Sequence, residues 1–584
     1  MSVSQTMPER DRIVLALIGA GAGLTLWAML EYLPEVTENT RVLLGAVTLT
    51  GGFFAILLAA LGPLRGQLAL WVAALGAVPA SGLLVWASLR YDTIGDFLKT
   101  GHVIVAYAML LSLPVPFLIA RASAQVRWWD YPALFDHAWQ IIVRYLAAGV
   151  FTGVFWLLIL LSDQVLQIVG LPVIKQLIRQ APVVWGLSGL MLGLGLAVVH
   201  ELRAYISPFL ALRLLRLMLP LVLVVSAIFL VAAPIKGLSN LFGSLSPAAL
   251  LMAMAFAAVS LITAIVDADD DTAASSRVLT LSARLMALLL PLVGGLAAVA
   301  VGQRVAQYGW TPDRLAAAVL AGLVLAYGVL YGAAVLGRAG WMARIRRANV
   351  LMALATIGLA GLWLSPVLNA ERIAANSQVF RFEAGKVGPE ALDLWAIRHD
   401  WGRAGRMAMA HLSDPAHPRA EELAAPLRWL AESNSRRQWE NAARETANRR
   451  LSDRIREVLP VFPAGEHLPE GAMRGGAFSR NLFEACERTT IGGNMGCLAW
   501  VADFSPSRPG KEILYLYLRA NGRVIFEGRD RENDYIFVTS SGKNGGVEVE
   551  PGLIDRISSG ALELSDTPNG FLLIGESVIF LGKD

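Results

Sequence analysis

The feature that most constrains this chain is a series of long apolar runs through its first 370 residues. A helix needs about 17–25 apolar residues to cross the hydrocarbon core of a bilayer. Eleven runs qualify: Ile13–Leu30, Val42–Leu61, Gln67–Ser88, Val103–Ile119, Tyr145–Leu161, Val183–Val199, Leu217–Ala233, Pro247–Val266, Val278–Val301, Leu315–Leu336 and Val350–Leu368. Helices apolar all round belong in lipid or deep inside a large core. The first run lacks a small-residue cleavage site and ten others follow it, so it reads as a span and not a cleaved signal peptide.

The pattern changes near residue 370. The first 370 residues hold 23 Lys+Arg and 16 Asp+Glu, whereas the remaining 214 hold 27 and 30. The predicted fold is an α-helical multi-pass membrane bundle (residues 1–370) followed by a C-terminal α+β extramembrane domain with a small antiparallel sheet. That domain divides into a juxtamembrane helical region (371–460) and a mostly β part (461–584). The basic surplus lies in loops between spans, where it is an orientation signal rather than a nucleic-acid footprint.

With the N-terminus inside, inner segments carry 14 Lys+Arg and outer segments 8, leaving out Arg144 at a span edge. Eleven spans then put the C-terminal domain outside, in the periplasm of a Gram-negative cell whose inner membrane holds the bundle. Ten or twelve spans would reverse this. Two segments, Tyr131–Tyr145 and Leu171–Arg179, read as interfacial helices. No acidic residue falls in the middle of an expected span, where proton- and sodium-coupled carriers usually keep one. His200 and Glu201 read as a solvated helix end, and VDADDD (Val266–Asp271) as a solvated cytoplasmic loop without the spacing of a calcium loop. Prolines 79, 114, 116, 220 and 291 can kink spans.

In the polar part, helical patterning covers Pro389–Leu412, Ala420–Glu432 and Ser435–Leu459. The arginines of the last are interleaved with acidic and amide residues, as on a solvated face with local ion pairs. From Cys486 the pattern becomes strands: Cys497–Phe504, Ile513–Arg519, Arg523–Arg529, Tyr535–Thr539, Val547–Glu550, Ala561–Leu564, Phe571–Ile574 and Ser577–Leu581. Asn521-Gly522 predicts a type I′ hairpin between the second and third.

No catalytic constellation emerges, and no cofactor or metal is expected. His399, His411 and His417 lie near Asp400 and Asp414, but HLSDPAHP is proline-broken and reads as a loop. SPSRPG and TSSGKNGG lack phosphate-loop spacing.

Three segments, QYGWTPDRL (Gln307–Leu315), ERIAANSQVFRFEAGKV (Glu371–Val387) and LDLWAIRHDWGRAG (Leu392–Gly405), resemble the domain of unknown function 4153 family of bacterial multi-pass membrane proteins. So does the stretch LFGSLSPAALLMAMAFAAVSLITAIVDADDD. The resemblance implies a membrane location; it implies no activity and carries over no catalytic residue. Tyr308, Gly309, Trp310, Thr311, Pro312 and Arg314 form its candidate motif. Physically, Thr311 suits an N-cap, Pro312 the first helical turn and Asp313 the positive end of the helix dipole. Tyr308 and Trp310 suit a headgroup belt.

Three functions compete. One is an envelope protein presenting a binding domain to a protein or lipid partner, with no nucleic acid involved. The second is a transporter or lipid flippase. The third, ranked last, is a transferase on a lipid-linked substrate, using outer-loop carboxylates such as Asp92 and Asp96. The only two cysteines, Cys486 and Cys497, flank a glycine-rich reversal. Outside the cell membrane they are expected to form one structural disulfide; two separate buried thiols are the alternative.

Overall fold

The computed structural model describes residues 9–123, 126–201, 208–236, 246–337, 339–468, 477–502, 511–529, 535–539, 547–549, 552–560, 571–574 and 577–582. The expected strand Ala561–Leu564, SPSRPG and nearly all of TSSGKNGG lie outside these, as do the side chains of His200 and Glu201. The chain forms two compact units, Met1–Pro418 and Arg419–Asp584.

The first unit is a multi-pass membrane bundle. Its helices are α1 (Glu9–Val36), α2 (Thr40–Ala60), α3 (Gly66–Ser88), α4 (Ile94–Leu98), α5 (Gly101–Ser112), α6 (Pro114–Ser123), α7 (Tyr131–Ile168), α8 (Val173–Ile178), α9 (Ala181–Glu201), α10 (Pro208–Lys236), α11 (Pro247–Val266), α12 (Arg277–Tyr308), α13 (Pro312–Leu336) and α14 (Trp341–Leu364). Polar helices α15 (Ala370–Glu383), α16 (Leu394–His399) and α17 (Gly402–Leu412) follow. Among the described residues, eleven helices are long and apolar enough to cross a membrane, α5 and α6 counting as one around Pro114. Each expected span falls on one of them.

One expectation fails in α7. The segment Tyr131–Tyr145 is not a separate interfacial helix. It opens a continuous 38-residue helix, about 57 Å long at 1.5 Å per residue. Buried Arg144 holds that early stretch in place, donating to Ala59 O (3.4 Å) and Leu61 O (3.2 Å) at the end of α2. Those carbonyls have no intrahelical donor, so a guanidinium there satisfies them and the negative helix end together. Leu171–Arg179 does contain a separate short helix, α8, after Gly170.

Lipid tails are as apolar as leucine, so close backbone packing must hold such helices together. Helices α1 and α9 meet through Gly19 and Gly23 against Gly186, Gly189 and Gly193. A Cβ on Gly189 would lie 2.0 Å from Gly19 O, so only hydrogen fits there. Helices α11–α14 build the largest apolar cluster around Ile262, Met286, Leu290, Val324 and Tyr331.

The VDADDD segment departs from the sequence reading. Val266, Asp267 and Ala268 are buried, and only its later aspartates reach solvent. Arg216 pairs with Asp267 and donates to Ala264 O (2.8 Å). Arg346 donates to Val266 O (2.7 Å) and pairs with Asp270 at 2.7 Å. Two arginines distant in sequence thus cap α11 and convert half of a polar loop into packed structure.

The second unit contains α18 (Ala420–Glu432), α19 (Arg436–Val458), α20 (Ala477–Cys486) and α21 (Leu553–Ser558) with strands β1 (Val461–Phe462), β2 (Cys497–Ala502), β3 (Glu512–Leu518), β4 (Val524–Arg529), β5 (Tyr535–Thr539), β6 (Val547–Val549), β7 (Phe571–Ile574) and β8 (Ser577–Gly582). Strand order is β1-β2-β3-β4-β5-β8-β7, with β6 on β4. The sheet is mixed rather than purely antiparallel, because β1 runs parallel to β2. Alternation sends Cys497, Ala499 and Val501 to a face covered by α19 and α20, and Leu498 and Trp500 to a face covered by α21. Both faces are therefore buried. Arg436, Arg444, Arg449 and Arg456 of α19 pair locally, as in Arg436–Glu440 at 3.0 Å, while Arg454 lies over the Phe483 ring.

The β3–β4 turn also differs from expectation. Gly522 has φ +78° and Asn521 does not have a positive φ. Gly522 N–H donates to Arg519 O (3.0 Å) and Arg519 N–H to Arg523 O (2.8 Å). This is a three-residue loop closed by a left-handed glycine, the next most common hairpin after the two-residue type I′ form.

Candidate functional site

One end of the bundle, formed by segments 89–100, 309–311 and 365–369, encloses a buried charged cluster. The Arg90 and Glu371 side chains are 8% and 1% exposed and lie 3.4 Å apart. Arg90 Nη2 also donates to Trp363 O (2.7 Å), Ser365 O (2.6 Å) and Leu368 O (3.2 Å). The guanidinium thus satisfies backbone carbonyls where α14 ends. Tyr91 donates its hydroxyl to Glu371 Oε1 at 3.1 Å. Burial, and then the neighbouring Glu371 charge, raise the Tyr91 phenol far above its ordinary value. His102 Nδ1 accepts from Trp363 Nε1 (3.1 Å), and His102 Nε2 lies 3.9 Å from Glu371 Oε1. A nitrogen that accepts carries no hydrogen, so the neutral ring keeps its proton on Nε2, facing the carboxylate.

Beside this cluster lies a cavity of about 130 Å³ between α5, α13 and α14. Met109, Val319, Leu323 and Leu359 line it, with His102 and Trp363 toward the cluster and Thr356 as a further polar residue. Such a surface suits a hydrocarbon chain better than a hydrated solute.

The motif segments interlock at the same end. Thr311 caps α13 by accepting from Arg314 N (3.2 Å), and Pro312 follows it. Gly309 has φ +75°, and a Cβ there would lie 2.7 Å from Gln378 Nε2. Gln378 donates to Tyr308 O and Trp310 O, both at 2.9 Å, and Trp310 N–H to Ser377 Oγ at 3.4 Å. Arg314 turns back to Gly309 O (2.9 Å) and lies over the Tyr308 ring. The first motif is therefore the seat of the second, which is α15. The third motif closes the other side: Arg403 N–H donates to Arg90 O (2.8 Å) and its side chain pairs with Asp92, as does that of Arg406 just after the motif.

A family model described as Domain of unknown function (DUF4153) matches residues 52–411, which contain all three segments. The chain belongs to this family. No curated protein and no solved structure matches it significantly. What this family member has in hand is a buried polar node built from Glu371 of the second motif segment, Arg90 and Tyr91 just after α3, His102 of α5 and Trp363 of α14.

Asp92 and Asp96, the carboxylates expected in an outer loop, are engaged structurally. Asp92 is held by two arginines, and Asp96 accepts from Lys99 (2.8 Å) and Thr93 (2.7 Å). Those bonds, Lys99 first, hold the Asp96 carboxyl below its ordinary value. The three histidines do not gather. His399 packs at a tilt against Trp395, where burial and then Arg398 lower its pKa. His411 and His417 meet instead at Glu383, a residue the sequence reading did not connect with them.

In the second unit, Cys486 and Cys497 lie at disulfide-bonding distance, with Cα atoms 4.8 Å apart. Between them Gly493 takes φ +85°. Asp555 on α21 accepts from Asn494 Nδ2 (2.8 Å), Gly492 N–H (3.1 Å) and the Thr490 hydroxyl. The Thr490 bond is the main reason that the Asp555 carboxyl lies below its ordinary value. Arg90, His102, Glu371 and Asp555 were not singled out in sequence. Glu371 heads a motif segment and Arg90 follows a span directly, but neither fact reveals a partner.

Proposed function

We propose that this protein is a bacterial inner-membrane protein that presents its C-terminal α+β unit on the periplasmic side, in a binding role in the envelope rather than a catalytic one. The eleven long apolar helices among the described residues carry the reading, because an odd number of spans would leave the segments before and after the bundle on opposite sides of a bilayer. The loop charges favour an inner N-terminus. The close cysteine pair fits an oxidising compartment, in which it is a covalent staple. The pairing of Asp92 and Asp96 takes support from the transferase alternative. Alkaline phosphatase fused after residue 584 should be active in cells, and both cysteines should resist alkylation until reductant is added. A fusion active only with a cytoplasmic reporter, together with freely alkylated thiols, would overturn it.

A lipid-handling role is a second reading, resting on the apolar cavity beside His102 and Glu371. Native mass spectrometry should then find a lipid retained by the wild-type chain and lost on Ala106→Trp or Leu323→Trp. Equal lipid retention in all three would refute it.

A further inference from the structure

We propose that Glu383, His411 and His417 form a binding site for one divalent transition-metal ion, best matched by zinc. Glu383 is the last residue of α15, His411 lies in the last turn of α17, and His417 lies in the segment after α17. His411 Nε2 is 2.6 Å from Glu383 Oε1, and His417 Nε2 is 3.6 Å from the same oxygen. The three candidate ligand atoms all lie within 4.8 Å of one another. At ordinary zinc bond lengths, ligand atoms of a tetrahedral ion lie about 3.3 Å apart. The metal-free geometry brackets that spacing, so closure requires only small side-chain shifts.

The surroundings fit a site held from one side and open on the other. The His417 side chain is 1% exposed and its ring stacks on buried Phe382, 5.9 Å between centroids. Its backbone is fixed as well: His417 N–H donates to Asp414 O (2.9 Å), and Asp414 Oδ1 accepts from Ala416 N–H (2.8 Å). His411 and Glu383 are 56% and 40% exposed, which leaves an ion accessible to water as a fourth ligand. Two imidazoles and a carboxylate with an open position make a donor set that zinc accepts readily, whereas calcium and magnesium prefer all-oxygen sites. A bound ion would tie together the ends of α15 and α17 and the segment that closes the first unit. Neither the motif segments nor the presentation role requires this site, and it is independent of which side of the membrane the end faces.

The full chain, purified in detergent with a tag free of histidine and stripped with a chelator, would be titrated with zinc against a chromophoric competitor. One high-affinity zinc per chain is expected. Losing a residue that only hydrogen-bonds to a ligand weakens metal sites by about 10–100-fold, so removing a ligand itself, in His411→Ala or Glu383→Gln, should weaken binding at least about 100-fold. His399→Ala should leave it unchanged. Because His411 is half exposed, its replacement removes a ligand without opening the core. Cobalt substitution should give the visible absorption of a low-coordinate nitrogen–oxygen site in the wild type and not in His411→Ala. Absence of stoichiometric zinc, or equal affinity in His411→Ala and Glu383→Gln, would overturn the proposal.

Discussion

Removing Glu371 tests the buried cluster most directly. Glu371→Ala leaves the Arg90 guanidinium enclosed without its counter-charge and takes the acceptor from Tyr91. Breaking a buried ion pair from one side costs about 3–5 kcal/mol. Arg90 keeps its three carbonyl acceptors, so the loss should sit near the lower end, about 3 kcal/mol. Arg90→Met should cost more. It strands the Glu371 charge and also leaves the Trp363, Ser365 and Leu368 carbonyls without this donor, at about 1 kcal/mol or more for each carbonyl that finds no other partner.

The double variant Arg90→Met/Glu371→Met removes both charges and leaves mainly the carbonyl loss, so it should be more stable than Arg90→Met alone. That inversion identifies charge coupling, since two independent contacts would only add. Unfolding of the purified chain by sodium dodecyl sulfate in mixed micelles, followed by tryptophan fluorescence, would measure all four proteins; Trp363 lies within the cluster as a local reporter. A double variant no better than Arg90→Met, or a Glu371→Ala loss under about 1 kcal/mol, would refute the reasoning.

Gly309→Ala should loosen α15 from its seat and expose segment 384–388 to protease, at a cost of about 1–3 kcal/mol, because it combines positive φ with a collision at Gln378. Gly189→Val should separate α1 from α9 and lower the melting temperature in detergent, since its Cβ has no space beside Gly19 O. Cys486→Ser should lose about 3 kcal/mol of stability in the second unit if the bridge forms in the cell, read by denaturant midpoint. The depressed Asp555 carboxyl adds stability that is present above its unfolded value, about pH 3.9, and is lost as pH falls through its lower folded value. Hydrogen exchange in segment 487–496 should therefore rise at low pH relative to an Asp555→Asn control measured at each pH, in which that step is absent.

The spans were legible because a lipid-facing helix must be apolar along its whole length, and that property is local. Strands β2 to β4 were legible for a related reason: alternation and a glycine at the turn are local too. Helix α21 was not, because its six residues are too few for a period of 3.6 to show against the strands around it. The hairpin was found, but its turn type was not. An Asn-Gly pair permits the two-residue loop, and strand register decides whether one residue is added.

The polar end of the bundle was much less legible. Arg90 and Glu371 are 281 positions apart, and Glu383 and His411 are 28 apart. Nothing local distinguishes such residues from the charges that ordinarily flank a span. The VDADDD run shows the same limit from the other direction. Its acidity reads as solvation, yet Arg216 and Arg346 bury its first half. In this bundle, charges gather at helix ends because unpaired carbonyls there need donors and the apolar interior offers no competing partner. An arginine that satisfies carbonyls can hold a carboxylate as well, as Arg90 holds Glu371 and Arg216 holds Asp267. Glu383 differs from both: among the described residues its partners are two imidazoles, a donor set that a transition-metal ion could share.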